Sequence, residues 1–149
     1  MIEFAIAVGE RAEFTKTITE TDLAMFSAVS GDFDPIHVDE EYAKRSQFGR
    51  RIAHGGLAMS LLSTTASVIS RRAVERGSTG VSVSLGYDRI RFLAPVFIGD
   101  TLTARYVVES LDAERGRSLA KVEVVNQRGE VCVAGAHVMK WLPPRVGAS

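Results

Sequence analysis

Gly55-Gly56-Leu57-Ala58-Met59-Ser60-Leu61-Leu62-Ser63-Thr64-Thr65-Ala66-Ser67-Val68-Ile69-Ser70 contains no charged side chain. Leu57, Leu61, Thr65 and Ile69 repeat every four positions, Ala73 continues the series, and Leu62, Ala66 and Val74 widen the stripe. This period predicts one long helix over 55–76, stopped by Gly77, with Arg76 well placed against the helix dipole. Small residues cover most of its first half, and a helix so poor in charge is expected to be enclosed. The rest of the chain must supply the enclosure.

Beyond Gly77 the period changes to two. Val81, Val83, Leu85 and Tyr87 alternate with Ser82, Ser84 and Gly86, and the strand continues through Ile90 and Phe92. After a turn region at Pro95 and Gly99-Asp100, three more strands are predicted over 101–111, 118–126 and 130–141, joined by hairpin-like connectors. Upstream, 11–18 reads as a first strand. Thr19 with Asp22 three residues later forms a helix start, Leu23, Phe26 and Val29 give its apolar stripe, and Gly31 stops it. Residues 39–44 make one further helical turn, acidic at its start and basic at its end. The expected class is α+β: an antiparallel sheet curved around the long helix, as one domain over 1–149 with its core at about 11–142. Residues beyond Pro143-Pro144 are expected to fray. A sheet edge or face left uncovered predicts a homodimer or higher homo-oligomer.

Composition narrows the function classes. The chain has 149 residues, 46% hydrophobic and 24% charged, as in ordinary globular proteins. Eighteen basic and eighteen acidic residues cancel, so no global field favours nucleic acid or an anionic membrane. No apolar run is long enough to span a bilayer, and the N-terminus lacks the positive region of a secretion signal. The single cysteine, Cys132, fits a reducing compartment, and a cytoplasmic location is expected. Its setting reads as a packed strand interior. Three dispersed histidines and one cysteine show no metal-ligand spacing, and no phosphate-cradling glycine motif is present.

The chemistry is expected in Ser30-Gly31-Asp32-Phe33-Asp34-Pro35-Ile36-His37, with Ile52-Ala53-His54-Gly55-Gly56 as its partner. Proline lacks an N–H and pushes Asp34 toward extended geometry, so this stretch reads as a stiff turn rather than helix interior. Such a turn can aim a carboxylate and an imidazole into one space, as general acid–base chemistry requires. Asp-x-Asp-Pro is equally the chemistry of turns and caps, in which Asp side chains bind nearby N–H groups. His54 is read as fixing the entry to the long helix, and His137 as structural.

Taken together, residues 31–39, Phe48-Gly49, residues 52–55 and Arg89-Ile90-Arg91-Phe92-Leu93-Ala94-Pro95-Val96-Phe97-Ile98-Gly99-Asp100 resemble the MaoC-like, (R)-specific enoyl-CoA hydratase family. The resemblance covers about 15–141 and implies the hot-dog fold. It also implies that Asp32 and His37 activate a water for addition to a trans-2-enoyl thioester, and that the Gly55 N–H supports the thioester oxygen. Ser63 falls on a serine that orders the family's site. Asp34, His54 and Gly56 are further substrate-binding candidates. Two positions depart from the family's pattern: Asp34 stands where Asn is common, and Gly56 where a larger residue is common. The second departure predicts an enlarged or reshaped acyl pocket. Arg45, Arg50, Arg51, Arg89 and Arg91 are candidates for the phosphates of coenzyme A, which enters as part of the substrate; no other cofactor is implied.

Two other classes compete. A thioesterase on this fold needs an acid on the central helix, and none occurs from Gly55 to Val74, with Glu75 at the far end. A non-catalytic acyl-thioester binder is expected to lack Asp32 or His37, and both are present.

Overall fold

The structure is a computed structural model that describes residues 1–145 and 147. The expected fraying beyond Pro144 falls partly on 146, 148 and 149, which lie outside the described residues.

A strand, β1 (Arg11–Thr17), leads into α1 (Glu20–Ser30). Thr19 caps that helix by accepting from the Asp22 N–H, Asp22 reciprocates at the Thr19 N–H, and Gly31 ends it in the left-handed region at φ 79°. Two short helices follow, α2 (Pro35–Val38) and α3 (Glu40–Lys44). The expected stiff turn therefore runs straight into a helical turn. Proline at its first position loses only an N–H that has no helical partner there. The long helix α4 (Gly55–Glu75) ends as expected at Arg76 and Gly77.

Four strands complete the chain: β2 (Val81–Phe92), β3 (Thr101–Asp112), β4 (Arg117–Val125) and β5 (Val131–Leu142). They form one antiparallel sheet with β1, in the order β1-β3-β4-β5-β2. Leu57, Leu61, Leu62, Thr65, Ala66, Ile69 and Ala73 are buried, and α4 packs on β1, β3, β4 and β5. Leu102, Ala104, Tyr106 and Val108 of β3 and Ala120, Val122 and Val124 of β4 meet it from the sheet. A sheet wrapped on a central helix is the expected hot-dog arrangement.

Three details differ from the sequence reading. First, α4 is not enclosed all round: Ser60, Ser63, Thr64, Ser67 and Val74 are exposed in the single chain. Second, β2 turns its serines inward. Ser82 bonds Ser70 of α4 and Ser84 bonds the buried His137, while Val81, Val83 and Leu85 are exposed. Hydrogen-bonding partners inside, rather than hydrophobicity, set the face of this strand. Third, Val29 is 86% exposed and Ser27 is the buried residue of that turn of α1. Ser27 is inside because its hydroxyl meets His54.

Candidate active site

The site is assembled where α1, α2 and the start of α4 meet. Ser30 and Asp32 stiffen the exit from α1: the Ser30 hydroxyl donates to the Phe26 carbonyl and accepts from the Asp32 N–H. Asp32 Oδ1 in turn accepts from the Asp34 N–H, and Asp34 Oδ1 from the Ile36 N–H. This ladder of side chain to backbone bonds delivers His37 one turn later. Arg51 reaches both Glu20 of α1 and Glu40 of α3, tying the helices of this segment together.

His37 is oriented by residue 52. The Ile52 N–H donates to the Ile36 carbonyl, Ile52 bridges to Phe97, and the Ala53 N–H donates to the Val96 carbonyl. The Ile52 carbonyl, fixed in this way, accepts from His37 Nδ1–H at 2.7 Å. Nε2 of the neutral ring is then the acceptor, and it faces Asp32 Oδ2 across 3.9 Å. That separation is too long for a direct hydrogen bond, and both groups accept protons. A small donor between them, such as water, can satisfy both.

His54 lies against this pair. Its ring stacks on His37 at 3.9 Å between centroids and tilts against Phe26. Nε2 lies 3.1 Å from the Asp32 carbonyl and from the Ser27 hydroxyl. It must carry the proton to serve that carbonyl, which leaves Nδ1 bare, buried and without a partner among the described residues. Burial, with the neighbouring His37, lowers the His54 pKa below its ordinary value. A neutral His54 adds no positive charge beside His37.

His54 is also the residue before α4, whose first N–H groups have no intrahelical acceptor. The His54 carbonyl accepts from Leu57 and Ala58, so the Gly55 and Gly56 N–H groups remain available at the positive end of the helix. Gly55 lines a pocket of about 360 Å³ with His37, Phe48, Phe92, Leu93 and Cys132. A Cβ on Gly55 would sit 2.5 Å from the Phe92 ring, so the close approach that requires glycine here is made by Phe92. Gly56 is similar: a Cβ would sit 2.9 Å from Phe26, whose ring takes the volume that the missing side chain was expected to open.

The seven candidates thus separate. Asp32, His37, His54 and Gly55 come together. Asp34 is committed to capping α2, which accounts for it without a substrate. Ser63 and Gly56 line a second recess of about 340 Å³ between α4 and β2, with Ser60, Ser67, Ser84 and His137, rather than the pocket of His37. Phe92, Ser27 and the Ile52 carbonyl were missed by the sequence reading. Phe92 lay within the quoted motif, but nothing in its spacing places it over Gly55. Asp32, His37 and His54 bring possible metal-ligand atoms within 4.8 Å of one another, the one such group among the described residues. Of the arginine candidates, Arg51 is committed to Glu20 and Glu40, and Arg50 stacks on Phe97 at 3.9 Å.

The five-stranded antiparallel sheet wrapped around α4, with Asp32 and His37 on the segment that leads to it, is a hot-dog fold. The family model described as "MaoC like domain" matches residues 3–131, and the chain belongs to the MaoC-like dehydratase family. It is 32% identical over 136 residues to the (R)-specific enoyl-CoA hydratase of Aeromonas caviae, covering 91% of this chain and 96% of that protein. It is 40% identical over 110 residues to the (R)-specific enoyl-CoA hydratase of Rhodospirillum rubrum, covering 74% and 71%. Among solved structures, the (R)-hydratase from A. caviae involved in PHA biosynthesis superposes with a TM-score of 0.78 at 33% identity, over 93% of this chain and 98% of that one.

Proposed function

We propose that the protein adds water to a trans-2-enoyl-CoA, giving an (R)-3-hydroxyacyl-CoA, or catalyses the reverse dehydration. The observation that carries this reading is the 3.9 Å gap between Asp32 Oδ2 and His37 Nε2, two acceptors held apart beside the pocket that His37 lines. A water seated there donates to both. As its oxygen bonds to C3, the pair takes one proton and a proton is delivered to C2 on the same face. The two groups share one proton inventory, so the acid and base roles belong to the pair. Negative charge builds on the thioester oxygen, and the Gly55 N–H, in the first turn of α4 where no intrahelical acceptor takes it, is the donor assigned to it in this reading. His54 holds the Asp32 carbonyl and the His37 ring in place. Names of the relatives support the substrate class and the stereochemistry.

The protein is further proposed to act as a homodimer. The exposed Val81, Val83 and Leu85 on the edge strand β2, beside the open serine face of α4, favour a second copy as their cover. The test of function is loss of the conjugated enoyl-thioester absorbance over a panel of trans-2-enoyl-CoAs of increasing length. The expected result is loss without release of free thiol. Release of free coenzyme A would replace the hydratase reading with a thioesterase, and binding without reaction would leave a non-catalytic binder.

A further inference from the structure

Ten of the eighteen basic side chains make no ion pair among the described residues, and three of these ten, Arg89, Arg91 and Lys121, line one recess. The recess lies on the sheet face turned away from α4, floored by Ala134, Gly135 and Ala136, with Glu109 as its single acid. Three cations against one carboxylate leave it net positive.

The backbone there is built in a costly way. Tyr87 and Ile90, three residues apart, both pack toward the core, although a regular strand would place them on opposite faces. The phase changes at a bulge between Asp88 and Arg91. Arg89 sits in it at φ 52°, the one non-glycine residue with positive φ among the described residues. Gly135 opposite is what admits the bulge: a Cβ there would lie 2.6 Å from Ile90 Cδ1 and 3.0 Å from the Asp88 carbonyl oxygen. The result places Ile90 and Phe92 inward and Arg89, Arg91 and Leu93 outward. Bulges of this kind re-aim side chains next to functional sites.

Leu93 links this recess to the reaction pocket, because it lines both. We propose that the outer-face recess of Arg89, Arg91 and Lys121, reached from the pocket over Leu93, binds the phosphate groups of a coenzyme A thioester. The inference rests on the hydratase reading for the thioester and adds the site of its nucleotide end. From Leu93 the recess is within an arm's length: a strand climbs about 13 Å from Leu93 to Arg89. An extended pantetheine arm covers roughly 15 Å, the span of four to five extended residues. Two arginines offer fork-shaped donors to phosphate oxygens, and Lys121 adds a point charge.

The test compares the triple variant Arg89→Gly, Arg91→Gln, Lys121→Gln with wild type, and the single variant Arg91→Gln with Arg117→Gln, which removes one charge elsewhere on the sheet. Glycine at 89 removes the charge while relieving the positive φ, and Arg91→Gln alone serves if the triple variant folds poorly. Each protein is assayed on an enoyl-CoA and on the same acyl group carried by pantetheine, which lacks the nucleotide and its phosphates. The expected result is a KM for the CoA ester raised about ten-fold in the triple variant, with kcat kept and with the difference shrinking as salt rises. The KM for the pantetheine ester should not move. An equal change on both esters, or none on either, overturns the phosphate site while leaving hydration standing. A change seen only with an acyl carrier protein thioester also overturns it, in favour of a protein-docking surface. Binding of adenosine 3′,5′-bisphosphate by calorimetry decides the matter even if no enoyl thioester reacts: weaker binding to the triple variant supports the site, and identical or absent binding refutes it.

Discussion

His37 and His137 are each held through Nδ1, yet they end in opposite conditions. His137 is fully buried in β5; Nδ1 meets the Tyr106 hydroxyl at 2.9 Å and Nε2 meets the Ser84 hydroxyl at 2.7 Å, so both nitrogens are spent. His37 spends only Nδ1, on the Ile52 carbonyl, and leaves Nε2 facing a carboxylate across a gap. The first arrangement is structural, a satisfied polar node in the core. The second has one nitrogen to fix the tautomer and one left open, as the proposed proton transfer requires. Residue type does not separate them; the unspent nitrogen does.

The strongest way to break the comparison is to remove the partner of that nitrogen. Asp32→Asn keeps the shape and the bond to the Asp34 N–H but not the charge. Turnover should fall by about 10²–10⁴-fold, with thermal stability little changed. Unchanged kcat/KM would remove Asp32 from the chemistry.

The second prediction concerns pH. Burial pushes the His137 pKa down to about 4 from 6.5. The unfolded chain therefore takes up a proton below pH 6.5 that the folded chain refuses until about pH 4. Stability should be intact above pH 6.5 and decline as pH falls through that window, by about 3 kcal/mol in total at about 1.4 kcal/mol per unit. Urea unfolding at pH 7 and pH 4.5 measures this, and the decline should be smaller in His137→Gln, the part that remains including the buried His54, whose pKa is also lowered.

Smaller effects sharpen the picture of the pocket. Gly55→Ala forces its new methyl into the Phe92 ring, and a cost of about 1–3 kcal/mol is expected, relieved when Phe92→Leu is added. The melting temperatures of the two variants check it. Asp34→Ala should cost about 1 kcal/mol through the lost cap on α2 and leave KM unaltered. A raised KM would return Asp34 to the substrate.

These contrasts mark what the sequence could disclose. The four-residue period of Leu57, Leu61, Thr65 and Ile69, the capping box at Thr19 and Asp22, and Gly31 and Gly77 placed α1 and α4 to within a residue or two, because local chemistry decides them. Asp32, His37, His54 and Gly55 were legible from their motifs and do converge. What stayed hidden depends on long-range contacts. Ser82 and Ser84 bond Ser70 and His137 on the side of α4, a choice of face that the alternation along β2 does not decide. Phe92 and Phe26 take the space beside Gly55 and Gly56, and Ser63 turns into a different recess. The positive φ of Arg89 follows from the register opposite Gly135, which no residue spacing announces.

The most direct measurement places the two histidines in one experiment: enoyl-thioester turnover and thermal stability of His37→Ala and His137→Ala against wild type. The account predicts that His37→Ala abolishes turnover at a near-native melting temperature, while His137→Ala melts lower and keeps its turnover per folded molecule. Substantial turnover by folded His37→Ala would contradict it.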